Sequence, residues 1–291
     1  MALTTLLAAS ALLVPALALP PICPIGPLAP LSCHNTTAIK NTCCTEVQGQ
    51  VLQVQFWDTD PATGPADHWT IHGLWPDYCD GSYTQYCDES RQYTNISCIL
   101  EAAGKYDLLA FMEKYWKDDG GEDESFWEHE WGKHGTCYST LNPSCYTDYK
   151  PQEEVVDFFE QVVRLFNLLP TYDFLAASNI YPSATKNYTN AEIMAALHKV
   201  RGVNATIECD AGQLYEVEYT FNVKGSVADG LFLPASPVGE GNGCPAEVQY
   251  LPKILSSTPT VVDSETCSVG LESTTAASTD TPGATARRAV F

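Results

Sequence analysis

Alternation is the first regularity along this chain. From Val51 to Trp57, Leu52, Val54 and Phe56 fall on one face of an extended segment, and Gln53, Gln55 and Trp57 on the other. Tyr215, Val217, Tyr219, Phe221 and Val223 alternate with Glu216, Glu218, Thr220 and Asn222, which predicts a second half-buried strand. Between these segments the period changes. Val155, Phe159, Val162, Phe166 and Leu169 recur at steps of four and three, led by Glu153 and Glu154 and stopped by Pro170, which predicts an amphipathic helix. Thr189 with Glu192 makes a capping box that opens another helix through Ala195, Ala196 and Val200. Helices in the middle and strands at both ends predict an α+β domain, with a central antiparallel sheet packed with helices.

The two ends of the chain read differently. Leu6 to Leu19 is an apolar run too short to span a bilayer and closes on Ala16-Leu17-Ala18, so residues 1–18 are expected to be a signal peptide. From Ser256 to Phe291 the chain turns rich in Ser, Thr and Ala, which predicts a flexible tail with Arg287-Arg288 as a candidate processing site. One domain, 19–255, lies between. The 12 cysteines then read as up to six disulfides in a secreted protein. Asn35, Asn95, Asn187 and Asn204 each open an N-glycosylation sequon, consistent with a eukaryotic secretory route to the extracellular space or the vacuole.

Charge narrows the function. Acidic residues outnumber basic ones 36 to 15, a net charge of −21. Binding nucleic acid through a broad basic face requires Lys and Arg against phosphates, and that class is excluded. An RNA substrate would have to be captured at a small local site.

Two segments concentrate the chemistry: Trp69-Thr-Ile-His72-Gly-Leu-Trp75-Pro76, and Phe126-Trp-Glu-His129-Glu130-Trp-Gly-Lys133-His134-Gly-Thr-Cys137. On a helix, Glu130 and His134 share a face, as do His129 and Lys133, and the two rows adjoin. His129-Glu130 begins like a zinc-protease motif, but that motif needs its second His at i+4. Here Lys133 stands at i+4 and His134 at i+5, about 140° round the helix, so no metal site is expected. The remaining fit is phosphoryl transfer from a neighbouring hydroxyl. RNA supplies its own nucleophile, the 2′-OH, and needs a base, an acid and cations. Imidazoles suit the first two roles, and Lys133 the third. Trp and Tyr side chains could stack on unpaired bases.

At these residues the chain resembles the ribonuclease T2 family, through both segments in order and through the cysteine order from Cys23 to Cys244, including the adjacent Cys43-Cys44. The resemblance implies a cofactor-free endoribonuclease that cuts single-stranded RNA through a 2′,3′-cyclic phosphate with low base specificity. It implies His72 as general acid, His134 as general base, His129 as a phosphate holder, and Glu130 and Lys133 as stabilisers of the pentacovalent state. It places Trp75, Asp77 and Tyr83 around a first base pocket, where Asp favours adenine, and Gln55 and Phe126 at a second. It also implies disulfides Cys23–Cys44, Cys33–Cys79, Cys43–Cys145, Cys87–Cys137 and Cys209–Cys244, with Cys98 and Cys267 left over.

Other conspicuous residues have plainer expected roles. His34, His68 and His198 are read as surface groups, Trp69, Trp116, Trp127 and Trp131 as packing, and Asp118 to Glu124 as a solvated loop. A monomer acting on neither DNA nor membranes is expected. The competing functions are a secreted binding or toxic protein, whose mark would be loss of a catalytic His, and a metallohydrolase.

Overall fold

The computed structural model describes residues 23, 28–34, 39–238, 243–254 and 267. The expected signal peptide, the sequon at Asn35 and the tail lie outside the described residues, Cys267 excepted. The chain divides into units 1–260 and 261–291, and every helix and strand described belongs to the first.

Strands β1 (Gln50–Phe56) and β2 (Thr70–Asp77) pair antiparallel at one edge of a seven-stranded sheet. β3 (Asn187–Thr189), β4 (Thr206–Asp210), β5 (Gln213–Lys224), β6 (Leu231–Pro234) and β7 (Glu247–Gln249) complete it. The path runs β2-β1-β5-β7-β3, and β4 and β6 also pair with β5. All pairs are antiparallel except β5 with β7, which meet in parallel at Gln213 and Gln249. The helices are α1 (Ile96–Ala102), α2 (Tyr106–Tyr115), α3 (Asp123–Lys133), α4 (Glu153–Asn167), α5 (Thr171–Ala176) and α6 (Asn190–Arg201). The α+β architecture expected from the alternating and helical periods is the one observed.

The alternation of β1 marks polarity rather than exposure. Gln53 and Gln55 are as fully buried as Val51 and Val54, because their face is covered by the end of α4 and the start of α5. Gln55 Nε2 donates to Gln53 Oε1 at 2.9 Å and to the Leu169 carbonyl at 3.0 Å, while Thr171 Oγ1 donates to Gln55 Oε1 at 2.5 Å. Buried amides paired in this way carry no desolvation penalty of unmet groups.

The apolar stripe of α4 supplies the centre of the core. Val155, Phe158, Phe159 and Val162 are wholly enclosed, and Phe159 packs 5.2 Å from both the Trp116 and Phe158 rings. Trp127 and Trp131, one helical turn apart on α3, enter the same core, as does Trp69. Their indoles are used in packing, with Trp127 Nε1 donating to the Trp116 carbonyl at 3.0 Å. The 118–124 run is not a purely solvated loop. Asp123 is buried at the start of α3, accepts from the Asp118 N–H at 2.9 Å and pairs with Lys117.

Ahead of α6, Thr189 and Glu192 make both bonds of the capping box. Gly202, at φ +73°, adopts the left-handed conformation that ends the helix. Disulfides join Cys23–Cys44, Cys33–Cys79, Cys43–Cys145, Cys87–Cys137 and Cys209–Cys244. Cys98 and Cys267 are disulfide-bonded as well, and no cysteine among the described residues is free. Asn95, Asn187 and Asn204 are exposed. Among the described residues no helix is long and apolar enough to cross a membrane.

Phe159→Ala is expected to cost about 3–5 kcal/mol, the usual consequence of deleting a wholly buried phenyl group. Urea unfolding checks this, and a loss below about 1 kcal/mol would mean that α4 does not organise the core.

Candidate active site

The site begins with an irregularity in β2. His72 and Trp75 are three residues apart, and in a regular strand they would point to opposite faces. The pairing of β1 with β2 shifts between Val54 and Gln55: Gly73 lies opposite Val54, Ile71 opposite Gln55, and His72 is the extra residue. This bulge restores His72 and Trp75 to one face, where their rings stand edge-on at 4.6 Å. Phe56, at the end of β1, stacks on the His72 imidazole at 3.9 Å. The Phe126 ring, from α3, lies 5.8 Å away.

Helix α3 crosses this face and brings the second motif. Gly73 makes the close approach possible, because a Cβ there would lie 1.9 Å from Glu130 Oε2. Glu130 is completely buried. Its Oε2 accepts from Trp75 Nε1 at 3.0 Å, and its Oε1 lies 3.7 Å from His72 Nε2. His134 caps α3, its N–H donating to the Glu130 carbonyl at 3.1 Å. Its ring stacks on Trp75 at 5.0 Å with 16° between the planes. Two imidazoles from separate motifs therefore contact a single indole. His129, exposed on the next row, has Nδ1 3.3 Å from the Tyr86 hydroxyl, and Tyr86 is tied to α3 by its N–H to the Lys133 carbonyl at 2.9 Å.

Burial dominates the electrostatics. It lowers the His72 pKa to about 4, with Glu130 acting against it and Lys133 with it. It lowers His134 to about 2, assisted by Lys133, His72 and His129. His129 is lowered too, by burial and then by Lys133 and His72. Glu130 is raised by burial to about 7, opposed by His72, the Trp75 hydrogen bond and Lys133. Among the described residues, Glu130 Oε1 and His134 Nε2 are buried with no hydrogen-bond partner.

The remaining expected residues separate into two sets. Trp75 and Phe126 adjoin the imidazoles. Asp77, at the end of β2, is raised to about 7 by burial and bridges to Tyr83, which is exposed. Gln55 is not brought to the site. It faces the helix side of the sheet and lines a cavity of about 150 Å³ with Trp69, Phe111 and Tyr115. The reason is strand parity, since Gln55 shares its face with Ile71 rather than with His72. Its neighbour Phe56 holds the position beside His72. Glu216 on β5 was not among the expected residues: its Oε2 lies 2.8 Å from His72 Nδ1, and its only signal was being one of two acidic members of an alternating strand. Among the described residues no group of three His, Cys, Asp or Glu is arranged to hold a metal ion.

Two imidazoles and a buried carboxyl group adjoin one indole on an α+β scaffold, and the helix that brings two of the three also carries Lys133. The sequence profile of the Ribonuclease T2 family matches residues 36–229. Ribonuclease Trv of Hypocrea rufa is 58% identical over 224 residues, spanning 77% of this chain and 96% of that protein. Ribonuclease T2 of Aspergillus oryzae is 47% identical over 235 residues, spanning 80% and 84%. The crystal structure of Actibind, a T2 ribonuclease, aligns with a TM-score of 0.75 at 49% identity, covering 77% of this chain and 96% of that one. The chain belongs to the ribonuclease T2 family.

Gly73→Ala is expected to leave the fold intact and to cost about 10²-fold in turnover, the usual effect of displacing a catalytic group by about 1 Å. Full activity with unchanged circular dichroism would refute the close packing of Gly73 on Glu130.

Stability should also follow the buried carboxyl groups. Burial raises Glu130 and Asp77 to about 7, and Glu216 and Glu218 to about 8. Each holds a proton that the unfolded chain has released, so its contribution is complete below the ordinary carboxyl range and is lost as pH rises through the folded value. The depressed His72 and His134 act oppositely, but only below the ordinary imidazole value of 6.5. Between about pH 6.5 and 8 the four carboxyl groups outweigh Lys253, which burial lowers to about 8 and which acts oppositely near the top of the window, and Tm is expected to fall. A Tm that rises across this window in scanning calorimetry would contradict those protonation states.

Proposed function

We propose that this ribonuclease T2 family member is a secreted, metal-independent endoribonuclease in which His72 and His134 divide the proton transfers. The contact of both imidazoles with the Trp75 indole carries the reading. In the first stage the substrate's 2′ oxygen attacks phosphorus while its proton passes to His134 Nε2, which has no hydrogen-bond partner among the described residues. The P–O5′ bond breaks, and His72 Nε2 supplies the proton to the leaving oxygen. The product is a 2′,3′-cyclic phosphate. In the second stage water takes the place of the 5′ oxygen, the proton roles exchange, and a 3′-phosphate results.

Lys133 and His129 supply positive charge to the phosphorane, and Glu130 balances the imidazole beside it. General acid–base transfer accounts for roughly 10²–10⁴-fold, so charge stabilisation in a buried site must supply much of the remainder. Trp75, Asp77 and Tyr83 are suited to the base on one side of the scissile bond, and Phe126 with Phe56 to the base on the other. Single-stranded RNA is the substrate this arrangement favours, because stacking on these rings requires unpaired bases. Six disulfides and exposed sequons support the secretory route.

Purified protein incubated with RNA in EDTA is expected to release 2′,3′-cyclic nucleotides and to leave DNA intact. His72→Ala and His134→Ala should each abolish turnover with the fold retained. Chelator-sensitive cleavage would point to a metallohydrolase, and near-normal cleavage by either variant would remove that imidazole from the mechanism.

A further inference from the structure

The bond that holds His72 comes from outside both motifs. Its two ring nitrogens are not equivalent. Nε2 is directed towards α3 and Glu130 Oε1 at 3.7 Å, whereas Nδ1 lies 2.8 Å from Glu216 Oε2. Three strands make this contact. β2 carries the imidazole, β1 carries Phe56, on which the ring stacks, and β5 carries Glu216 as the register partner of Phe56. The ring thus lies over Phe56 and reaches the next strand. Glu216 is buried, at 6% exposure, so its carboxyl group is not a casual surface partner.

We propose that Glu216 is the positioning residue for His72: its carboxyl group engages Nδ1, fixes the tautomer and orientation of the ring, and leaves Nε2 to exchange the proton with the leaving oxygen. This rests on the reading of His72 as proton donor. Phe56 and Trp75 confine the ring to a plane, but apolar faces cannot distinguish Nδ1 from Nε2, and a ring flip would preserve both contacts. Only a hydrogen-bonding partner at one end selects between the nitrogens.

The surrounding charges suit a proton-sharing pair. Glu208 on β4 and Asp58 beyond β1 raise the pKa of Glu216, after burial, and Glu218 stands two residues along β5. Glu130 and Lys133 act on His72 from α3. Burial opposes an isolated imidazolium and an isolated carboxylate alike, while the two together compensate each other. When His72 carries both ring protons, Nδ1–H donates to the Glu216 carboxylate. As the P–O5′ bond breaks, the Nε2 proton moves to O5′, the bonding pair leaves with that oxygen, and Nδ1–H stays with Glu216. In hydrolysis a proton from water returns to Nε2.

The test compares Glu216→Gln and Glu216→Asp with the unaltered protein on a dinucleoside monophosphate, resolving kcat and KM across the pH profile. Glu216→Gln keeps the shape and removes the charge. It is expected to lower kcat by about 10²-fold or more with little change in KM, and to move the alkaline limb down by about one pH unit or more. Glu216→Asp should recover part of the loss. Near-normal kcat in Glu216→Gln overturns the proposal, as does a loss of activity with an unmoved limb and no rescue by Asp. His72→Ala is the control: its inactivity beside a normal Glu216→Gln sinks the Glu216 role alone, whereas its activity sinks the reading of His72 itself. Nitrogen NMR of the histidines in the unaltered protein needs no variant to fold. A single His72 tautomer with Nδ1 hydrogen-bonded is expected, and an interconverting mixture would overturn the assignment.

Discussion

The site depends on a carboxyl group enclosed between a helix and a strand. Glu130 projects from α3 onto Gly73, where no side chain opposes it, and Trp75 supplies the N–H that one of its oxygens needs. An unpartnered ionised carboxylate in such a place would be expensive. Burial raises its pKa, and the Trp75 bond together with the nearby His72 imidazole pulls it back. This one contact sets the separation of the two motifs. It determines where the α3 imidazoles lie relative to the β2 imidazole, and so whether they can address one substrate group.

What lies behind α3 makes that separation rigid. The 3-10 turn Gly135–Cys137 follows His134, and a Cβ at Gly135 would collide with the Trp131 ring at 2.2 Å. The Cys87–Cys137 disulfide closes the turn. Arg91, nearly inaccessible, donates to the Thr136 carbonyl at 2.6 Å, to the Leu141 carbonyl at 3.2 Å and to Asp88 at 2.8 Å, with its guanidinium over the Trp131 ring. A buried cation used in this way satisfies carbonyl groups left over at a helix end. Such a brace holds catalytic side chains more closely than a free loop could.

Periodicity made β1, β5 and α4 legible in the sequence, and the capping box made α6 legible, since each is decided by its own local pattern. Helical spacing made Glu130 and His134 legible as neighbours, because a helix fixes which side chains adjoin, and the family resemblance joined His72 to them. Three features were not legible, and each depends on register between segments. The bulge at His72 exists only relative to β1, so strand parity could not reveal that His72 and Trp75 share a face. Phe56 and Gln55 are adjacent, and a one-residue difference in parity exchanges a site residue for a buried structural amide. Glu216 lies 144 residues from His72, and nothing in its own segment separates it from Glu218. The buried glutamines of β1 make the same point about exposure: alternating polarity shows two unlike faces, not which of them meets water.

A chain of net charge −21 that acts on a polyanion has to solve a problem of local field. Adding basic residues is one solution, and this chain carries only 15. Burial supplies another. It raises Glu130, Asp77, Glu216 and Glu218 above the ordinary carboxyl range, so Asp77 and Glu218 are largely neutral in mild acid, while Glu130 and Glu216 give up their protons as the imidazole beside them takes one up. The same burial depresses the imidazoles, which are then charged only when an anion or an ion-pair partner offsets the cost of desolvation. A phosphodiester arriving beside Lys133 and His129 is such an anion. On the proposed mechanism, substrate binding and imidazole protonation favour each other, and this coupling would let a strongly acidic protein act on RNA without a basic face.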